Sequence, residues 1–423
     1  MGNNKKNSFK EIKEKLAKRL VGWKEKLLLK AGKETLIKAV AQAIQTYAMS
    51  CFKIPDSLCE EMTSLIRNFW WGQQKEERKM AWLSWDKLCT PKSHSGMGFK
   101  HLKQFNFALL ARHGWRLQQG GDSLLYRVFK AKYFPRCNFF QASLGTNPSF
   151  AWRSIMAGQS IVRKGIQWQV GNGDNIRIWM DKWIPTPSTY KVISPPVGLP
   201  LEAWICELID PNSGTWRTEL VQRIFLPHEA DEICNIALSS KLPEDKQVWA
   251  QTNNGRFTMR SAYKIAMELA SESCVGAASD DSKQRRFWKL LRKINTPHKV
   301  RHFAWRACKD ILPTKENLVR RKVLAEGTCE MCQSGLVTSG HLFWERERVR
   351  EAWAMLKIFP AQSNVQFHSF MDMLWYGVFD AEWDALQIER MIIVAWALWT
   401  SRNEVRIGGV KKSALKTVND ALE

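Results

Sequence analysis

Apolar residues recur at three- and four-residue spacing through most of this chain, and that spacing constrains the fold more than any other feature. Within residues 9–51, Ile12, Leu16 and Leu20 fall on one side of a helix, with lysines between them. Such a stripe is typical of an amphipathic helix packed on a core. The pattern returns over residues 56–72, 102–118, 123–134, 147–163, 261–270 and 390–403. The sequence therefore predicts a mainly α fold with a helical N-terminal region.

One segment has the alternation of a strand instead. Ile166, Trp168 and Val170 alternate with polar residues, the turn-forming residues 171–174 follow, and Ile176 and Ile178 alternate again. Two alternating runs around a short Gly- and Asn-containing turn are typical of a β-hairpin. The sequence therefore predicts a hairpin near residues 165–180, which gives an α+β class with a small β component.

The charge balance restricts the partners. Lys and Arg number 64 against 41 Asp and Glu, for a net charge of +23, and 21 of the 423 residues are Trp. The excess is concentrated in residues 1–38, with twelve basic residues against four acidic, and in residues 283–357, with eighteen against seven. So large a surplus destabilises the compact state unless a polyanion or salt screens it, which favours RNA or DNA as the partner.

Location signals are few. The longest apolar run, Met391–Trp399, is about half of the length that a bilayer span needs. The N-terminal residues include no apolar signal segment, and ten cysteines are too few for a disulfide scaffold. The sequence predicts an intracellular protein that is neither secreted nor membrane-bound, with the nucleus among the compartments open to it.

The closest cysteine pair is Cys329 and Cys332, and eight residues separate Cys332 from His341. Two thiolates at this spacing can form one side of a tetrahedral zinc site, and a following His can supply a third ligand. A fourth ligand would fall at Arg346, whose guanidinium cannot bind a metal and repels a cation. Two interpretations stay open from the residues alone, a metal knuckle or a pair of buried thiols.

Catalytic patterns are missing from the sequence. A two-metal polymerase needs carboxylates clustered at a strand end, whereas the adjacent Asp280 and Asp281 follow a small polar loop. Neither a phosphate-binding G-x-x-x-x-G-K-[ST] loop nor a G-x-S-x-G elbow occurs. We therefore predict no catalytic residues, no small-molecule substrate and no enzymatic activity.

Several strings, in order along the chain, resemble the LINE-type (non-LTR) retrotransposon reverse transcriptases of plants. Residues 20–27 and 37–44 resemble the thumb-like segment that follows the polymerase palm, and residues 69–72, 82–85 and 96–99 resemble the next blocks. From Phe257 to Trp353 the chain resembles the zinc-binding domain of these enzymes, through residues 297–300, 303–306, 312–314 and the Cys-Cys-His motif.

This resemblance implies five segments. They are thumb-like basic helices in residues 1–55, a Trp-rich helical connection region with the hairpin in 56–184, a linker and helical region in 185–256, a small helical zinc-knuckle-type domain in 257–357, and a helical spacer and tail in 358–423. It implies a truncated copy, because the palm with its Asp-Asp metal site and the ribonuclease H domain of the family have no counterpart here.

The resemblance also implies site residues. Cys329, Cys332 and His341 correspond to zinc ligands, while Arg346 stands where the family has its fourth ligand, a Cys. The basic residues that would contact phosphates are Lys24, Lys26, Lys38, Arg285, Arg286, Lys299, Arg301 and Arg306. Backbone contacts of this kind give affinity that falls with salt and little sequence preference.

Three functions follow as expectations. The first is a non-catalytic nucleic-acid-binding remnant, in which Trp288, Phe303 and Trp305 either stack on unpaired bases or pack in the core. The second is a polymerase fragment that is active only with a palm supplied elsewhere. The third is a structural fragment without a partner. The oligomeric state is open.

Overall fold

A computed structural model describes residues 9–24, 28–72, 79–186, 189–271, 282–329, 336–359, 365–410 and 412–423. These residues fall into two compact units, described separately below. Unit 1 takes the described residues within Met1–Gly22, Ala39–Ile66 and Lys100–Gly276, and unit 2 takes those within Trp23–Lys38, Arg67–Phe99 and Ala277–Glu423. The five segments expected from the sequence stay a prediction.

Helices dominate the described part of the chain, which confirms the mainly α class: 57% of the residues that the structure describes are helical. Up to residue 165 the helices are α1 Lys10–Lys24, α2 Lys30–Leu36, α3 Thr46–Cys51, α4 Asp56–Trp71, α5 Trp85–Cys89, α6 Leu102–Gln119, α7 Leu124–Tyr133, α8 Phe150–Ala157 and α9 Gln159–Gly165. A π-helical turn at Ile37–Ala41 and a 3₁₀ turn at Lys92–His94 lie between them.

The later helices belong to both units. They are α10 Thr218–Ile224, α11 Pro227–Cys234, α12 Met259–Ser271, α13 Ser282–Lys293, α14 His298–Cys308, α15 Lys315–Arg320, α16 Glu347–Leu356, α17 Phe370–Phe379, α18 Ala385–Arg406 and α19 Ala414–Leu422. A 3₁₀ turn lies at Ile205–Leu208 and a π-helical turn at His341–Glu345. Among the described residues, no helix is both long and apolar enough to cross a membrane.

Side-chain caps mark the starts of two helices within two residues of the predicted bounds. The Ser123 and Ser149 hydroxyls accept hydrogen bonds from the backbone N–H groups of Tyr126 and Trp152, at the starts of α7 and α8. The single helix predicted over 147–163 is two helices, because the chain turns at Gly158. A side chain at Gly158 would lie 2.6 Å from the Ala111 backbone nitrogen, so only glycine fits.

The predicted β-hairpin is wrong. Ile166–Gln169 is a strand, β1, but its antiparallel partner is β4, Lys246–Trp249, about eighty residues later in the chain. The turn residues fold around a distant carboxylate: the backbone N–H groups of Gly171, Gly173 and Asn175 all donate to Asp245, at 2.7, 3.0 and 2.9 Å. A remote acceptor therefore takes the donors that a local hairpin would have paired. A second pair joins β2, Ile209–Asp210, to β3, Thr215–Trp216.

Unit 1 has a core of several buried clusters. One surrounds Trp183 and Ile205 between β1 and α11, a second joins Trp249 to α6 and α12, and a third centres on the fully buried Trp152. The Trp152 ring stacks on Tyr133 with 4.6 Å between ring centres. Much of the tryptophan content therefore serves packing.

The core of unit 2 fixes the helices that carry the candidate site. Trp70 of α4 packs edge-on against Phe99 at 5.3 Å, and Phe99 stacks on Trp85 of α5 at 5.2 Å. Further along the chain, Phe343 and Phe370 are buried against each other at 5.0 Å. These contacts lie within unit 2, at the C-terminal end of α4, in α5, in the π-helical turn and at the start of α17.

Candidate nucleic-acid interface and zinc motif

The helix α13, Ser282–Lys293, separates apolar and basic side chains on two faces. Phe287, Trp288 and Leu291 are buried. Its exposed basic residues are Lys283, Arg285, Arg286, Lys289 and Lys293, and the helix contains no Asp or Glu. The predicted phosphate contacts Arg285 and Arg286 therefore lie on a solvent-facing basic surface. We call α13 the basic helix.

The next helix, α14, carries three more predicted contacts in different surroundings. Lys299 is exposed, with its ammonium 4.6 Å from the ring centre of Trp396. Arg301 is half-buried, and its Nε has no hydrogen-bond partner in the described part of the chain. Arg306 donates to the Ile311 carbonyl at 3.1 Å, and burial lowers its pKa. Lys299 alone of the three is open to a large ligand.

The aromatic residues of this region are core residues. Trp288, Phe303 and Trp305 are only 1%, 5% and 7% exposed, and the Trp305 indole donates to the Ser95 carbonyl at 2.8 Å. A base cannot reach the face of a ring that is buried this deeply in a close-packed core. The expectation that these rings stack on unpaired bases is therefore wrong, and the core interpretation is confirmed.

Lys38 lies in a cation cluster built around one carboxylate. Its ammonium and that of Lys92 both lie 2.6 Å from Glu34 Oε1. Burial by itself would raise the pKa of Glu34, but the hydrogen bonds from both lysines outweigh it and lower the pKa. Arg292 of the basic helix interacts electrostatically with the same carboxylate, and its guanidinium donates to the Gly96 carbonyl at 2.6 Å.

Lys30 extends this cluster. Its ammonium donates to the Trp70 carbonyl at 2.5 Å and lies 4.8 Å from the Trp70 ring centre. Burial, with smaller effects from the Lys33, Arg306 and Lys79 cations, lowers the pKa of Lys30 to about 7.

His302 lies in the same neighbourhood. Burial, followed by the nearby Arg306 and Lys30 cations, lowers its pKa to about 3, so this imidazole is neutral near pH 7. We call Glu34, Lys30, Lys38, Lys92, Arg292 and Arg306 the Glu34 cluster.

The structure thus brings together residues that the sequence could not group. Lys38 and Arg306 were predicted singly and share one cluster, whereas Lys30, Lys92 and Arg292 were missed. The available signal was the charge surplus of residues 1–38 and 283–357, which does not identify individual members. Lys24 ends α1, and Lys26 lies outside the described residues.

The zinc motif has an unexpected partner. Cys329 is buried, and its Sγ accepts a hydrogen bond from Arg346 Nη2 at 3.1 Å. His341 is also buried, in a π-helical turn, with its Nδ1 2.8 Å from Glu345 Oε2. Cys332, Asp280 and Asp281 lie outside the described residues. Arg346, which stands where the resemblance implies a fourth zinc ligand, thus contacts the Cys329 thiol instead.

Comparison with known proteins gives a family match to the region that carries the zinc motif. Residues 257–353 match the domain family described as zinc-binding in reverse transcriptase. A protein of Arabidopsis thaliana named "Putative ribonuclease H protein" is 28% identical over an alignment of 422 positions that covers 94% of this chain and 64% of the relative. An "Uncharacterized mitochondrial protein" of the same plant is 40% identical over 143 residues, which are 34% of this chain and 93% of the relative.

The chain belongs to the reverse-transcriptase-derived retroelement proteins. It corresponds to their C-terminal region. It spans 64% of the length of the ribonuclease H relative.

The domain family that matches residues 257–353 is a zinc-binding one. The described residues of this retroelement protein nevertheless do not fit a closed zinc site with four ligands. Within the described ranges, no group of three His, Cys, Asp or Glu side chains could hold a metal ion. A contact between His341 and Glu345 is the kind of pairing that orients a metal-binding imidazole. The Arg346 guanidinium on Cys329 works against a metal, because it places a fixed positive charge at the thiol.

Proposed function

We propose that this chain is a non-catalytic, nucleic-acid-binding portion of a LINE-type retrotransposon reverse transcriptase, and that it holds RNA or DNA through the phosphate backbone. The basic helix carries this proposal: five exposed cations lie on one helix that has no acidic residue. Each phosphate that such a face neutralises releases counterions, which supplies affinity without reading sequence.

The Glu34 cluster supports the same proposal from a second segment of unit 2. Lys38, Lys92, Arg292 and Arg306, with Lys30 partly protonated near pH 7, surround only one carboxylate, so this part of the unit retains a positive field. A field of that sign draws a polyanion toward the unit before direct contact. The half-buried members act through this field, and the exposed cations of α13 and α14 make the contacts.

Binding across a salt series tests the proposal. A labelled 20-base-pair RNA–DNA hybrid is titrated with the purified chain, by fluorescence anisotropy, from 50 to 200 mM salt. The helix variant replaces Lys283, Arg285, Arg286 and Lys289 with Gln. A matched control replaces Arg127, Arg136, Arg223 and Lys241, which are exposed residues of unit 1, and so removes the same net charge.

We expect the logarithm of the wild-type affinity to fall linearly with the logarithm of salt. The helix variant should reduce that slope by roughly 3 to 4, about one per phosphate contact, and the control should leave it nearly unchanged. An equal effect of both variants would show that net charge alone drives binding and that the basic helix is not the interface. A wild-type protein without measurable affinity at 50 mM salt would end the nucleic-acid proposal.

The non-catalytic part of the proposal has its own test. Primer extension with the purified chain, magnesium and deoxynucleotides should give no product, because the sequence offers no carboxylate pair at a strand end. Incorporation of even one nucleotide would refute it, provided that a mock preparation is inactive.

A further inference from the structure

A second positively charged feature of unit 2 is concave. A cavity of about 330 Å³ is lined by five cations, Lys315, Arg346, Arg348, Arg402 and Arg406, and by one carboxylate, Glu347. We call it the arginine pocket. No residue of the basic helix or of the Glu34 cluster lines it. Five positive charges around a space of this size favour an anionic ligand.

Two of the guanidinium groups are fixed in place. Arg346 Nη2 donates to Cys329 Sγ at 3.1 Å, and Arg348 Nη2 donates to Ser401 Oγ at 3.2 Å and to Thr417 Oγ1 at 3.0 Å. Within the described residues, the Nε atoms of both arginines are buried and have no hydrogen-bond partner. Buried donors without acceptors are rare, and a bound oxyanion would supply the missing acceptors.

Burial also lowers the pKa of Arg348, an effect that the nearby Glu351 carboxylate opposes. An arginine stays charged after such a shift. A bound anion would therefore offset part of the desolvation of this cation.

The rest of the wall is apolar and aromatic. Leu342, Phe343, Leu398 and Trp399 line the pocket beside the cations. The Arg402 guanidinium lies 5.0 Å from the ring centre of Trp399, as in a stacked cation–π pair. A simple inorganic anion would leave this apolar wall unused, whereas a ligand with a planar ring and an anionic group would use both kinds of surface.

We propose that the arginine pocket binds a single nucleotide unit, with its phosphate on Arg346, Arg348 and Arg406 and its base against Trp399. The volume suits one nucleotide and excludes a duplex. This goes beyond backbone binding by the basic helix, since it requires a base and a phosphate together. Arg346, which stands where the resemblance implies a fourth zinc ligand, then binds the phosphate and not a metal.

Calorimetry with adenosine 5′-monophosphate tests the pocket at 50 mM salt. The variants are Arg406→Ala, at the exposed end of α18, and Trp399→Leu, with Lys416→Ala as the control because Lys416 is an exposed cation of unit 2 outside the pocket. We expect Arg406→Ala to weaken binding about tenfold, as the loss of one charge-assisted contact does. Trp399→Leu should weaken it several-fold, and the control should match the wild type.

Two further ligands test the chemistry. Adenosine, which has no phosphate, and inorganic phosphate, which has no base, should each bind at least tenfold more weakly than the monophosphate. Equal affinity for either one, no binding of the monophosphate, or no effect of Arg406→Ala would overturn the proposal. Circular dichroism of each variant excludes unfolding as the cause of a loss.

The source of the nucleotide is distinguished by a hexamer, (dA)6, without terminal phosphates. If the natural ligand is a residue within a strand, the hexamer binds and Arg406→Ala weakens it; if it is a free nucleotide, only the monophosphate responds to the substitution. The helix variant described above should bind the monophosphate normally. If the wild-type protein binds the hybrid in a salt-dependent way but does not bind the monophosphate, the pocket proposal is refuted and the proposal for the basic helix is not.

Discussion

The substitution Glu34→Gln should weaken the fold and strengthen nucleic-acid binding at the same time. Glu34 is the carboxylate that accepts from both Lys38 and Lys92 at 2.6 Å. Gln keeps the size of the side chain and an acceptor oxygen but removes the charge. The two lysines then remain close together without the group that compensates them.

The magnitude follows from the exposure of the three side chains. Breaking a fully buried ion pair costs about 3–5 kcal/mol. The Glu34 side chain is 13% exposed and that of Lys38 is 31% exposed, so this pair approaches the buried case, whereas Lys92, at 48%, is largely screened. Since Gln retains hydrogen bonding, we expect the free energy of unfolding to fall by about 2 kcal/mol.

The pH dependence gives the sign of the same contribution. The folded state lowers the pKa of Glu34, so its stabilisation is fully present above the ordinary carboxyl pKa and is lost as pH falls through the folded value. The Gln variant has no such titrating group. The difference in stability between wild type and variant should therefore shrink toward acid pH.

Urea unfolding and anisotropy titrations measure the two effects on one preparation. Loss of the negative charge should raise affinity for the RNA–DNA hybrid roughly two- to fivefold at 50 mM salt, and less at 200 mM. Glu326→Gln, an exposed carboxylate of unit 2 outside the cluster, is the matched control and should change neither quantity. A Glu34→Gln protein that is as stable as the wild type, or that binds more weakly, would refute the role given to the Glu34 cluster.

Three further predictions concern other groups. The pKa of Lys30 is about 7 in the folded protein, against an ordinary value of 10.5. Between these two pH values the unfolded state binds one more proton than the folded state, so the free energy of unfolding should rise with pH. Urea unfolding of Lys30→Met should show no such rise. Zinc analysis of the purified protein should give less than one tightly held ion per chain. Arg346→Cys should increase the zinc content, and Arg346→Ala should not. One tightly held zinc ion per wild-type chain would contradict this prediction. Asp245→Ala should cost about 2–3 kcal/mol because three backbone donors lose their acceptor, while Asp231→Ala, an exposed residue, should cost under about 0.5 kcal/mol.

Local patterns predict the helices because the forces that define them are local. The stripe in α1 and the Ser149 cap of α8 need only neighbouring residues, and both are present. The hairpin failed for the opposite reason. Period two identified β1, but its partner β4 and the acceptor Asp245 lie more than seventy residues away, where no spacing rule reaches.

The candidate site divides in the same way. Arg285 and Arg286 were predictable, because a basic helix face is visible in twelve consecutive residues. Lys30, Lys92 and Arg292 were not, since their neighbourhood forms only when segments about 200 residues apart come together, as in the Arg292 contact with Gly96. The arginine pocket was equally hidden, because Lys315, Arg346 and Arg406 line it from three separate segments.

Lysine footprinting tests the central claim most directly, because it reports which cations nucleic acid covers. The protein is acetylated with and without the RNA–DNA hybrid at 50 mM salt, and mass spectrometry quantifies each site. We expect the hybrid to protect Lys283, Lys289 and Lys299 in unit 2, while Lys241 and Lys264, exposed lysines of unit 1, react equally in both samples. Equal acetylation of Lys283 and Lys289 with saturating hybrid bound would contradict the account.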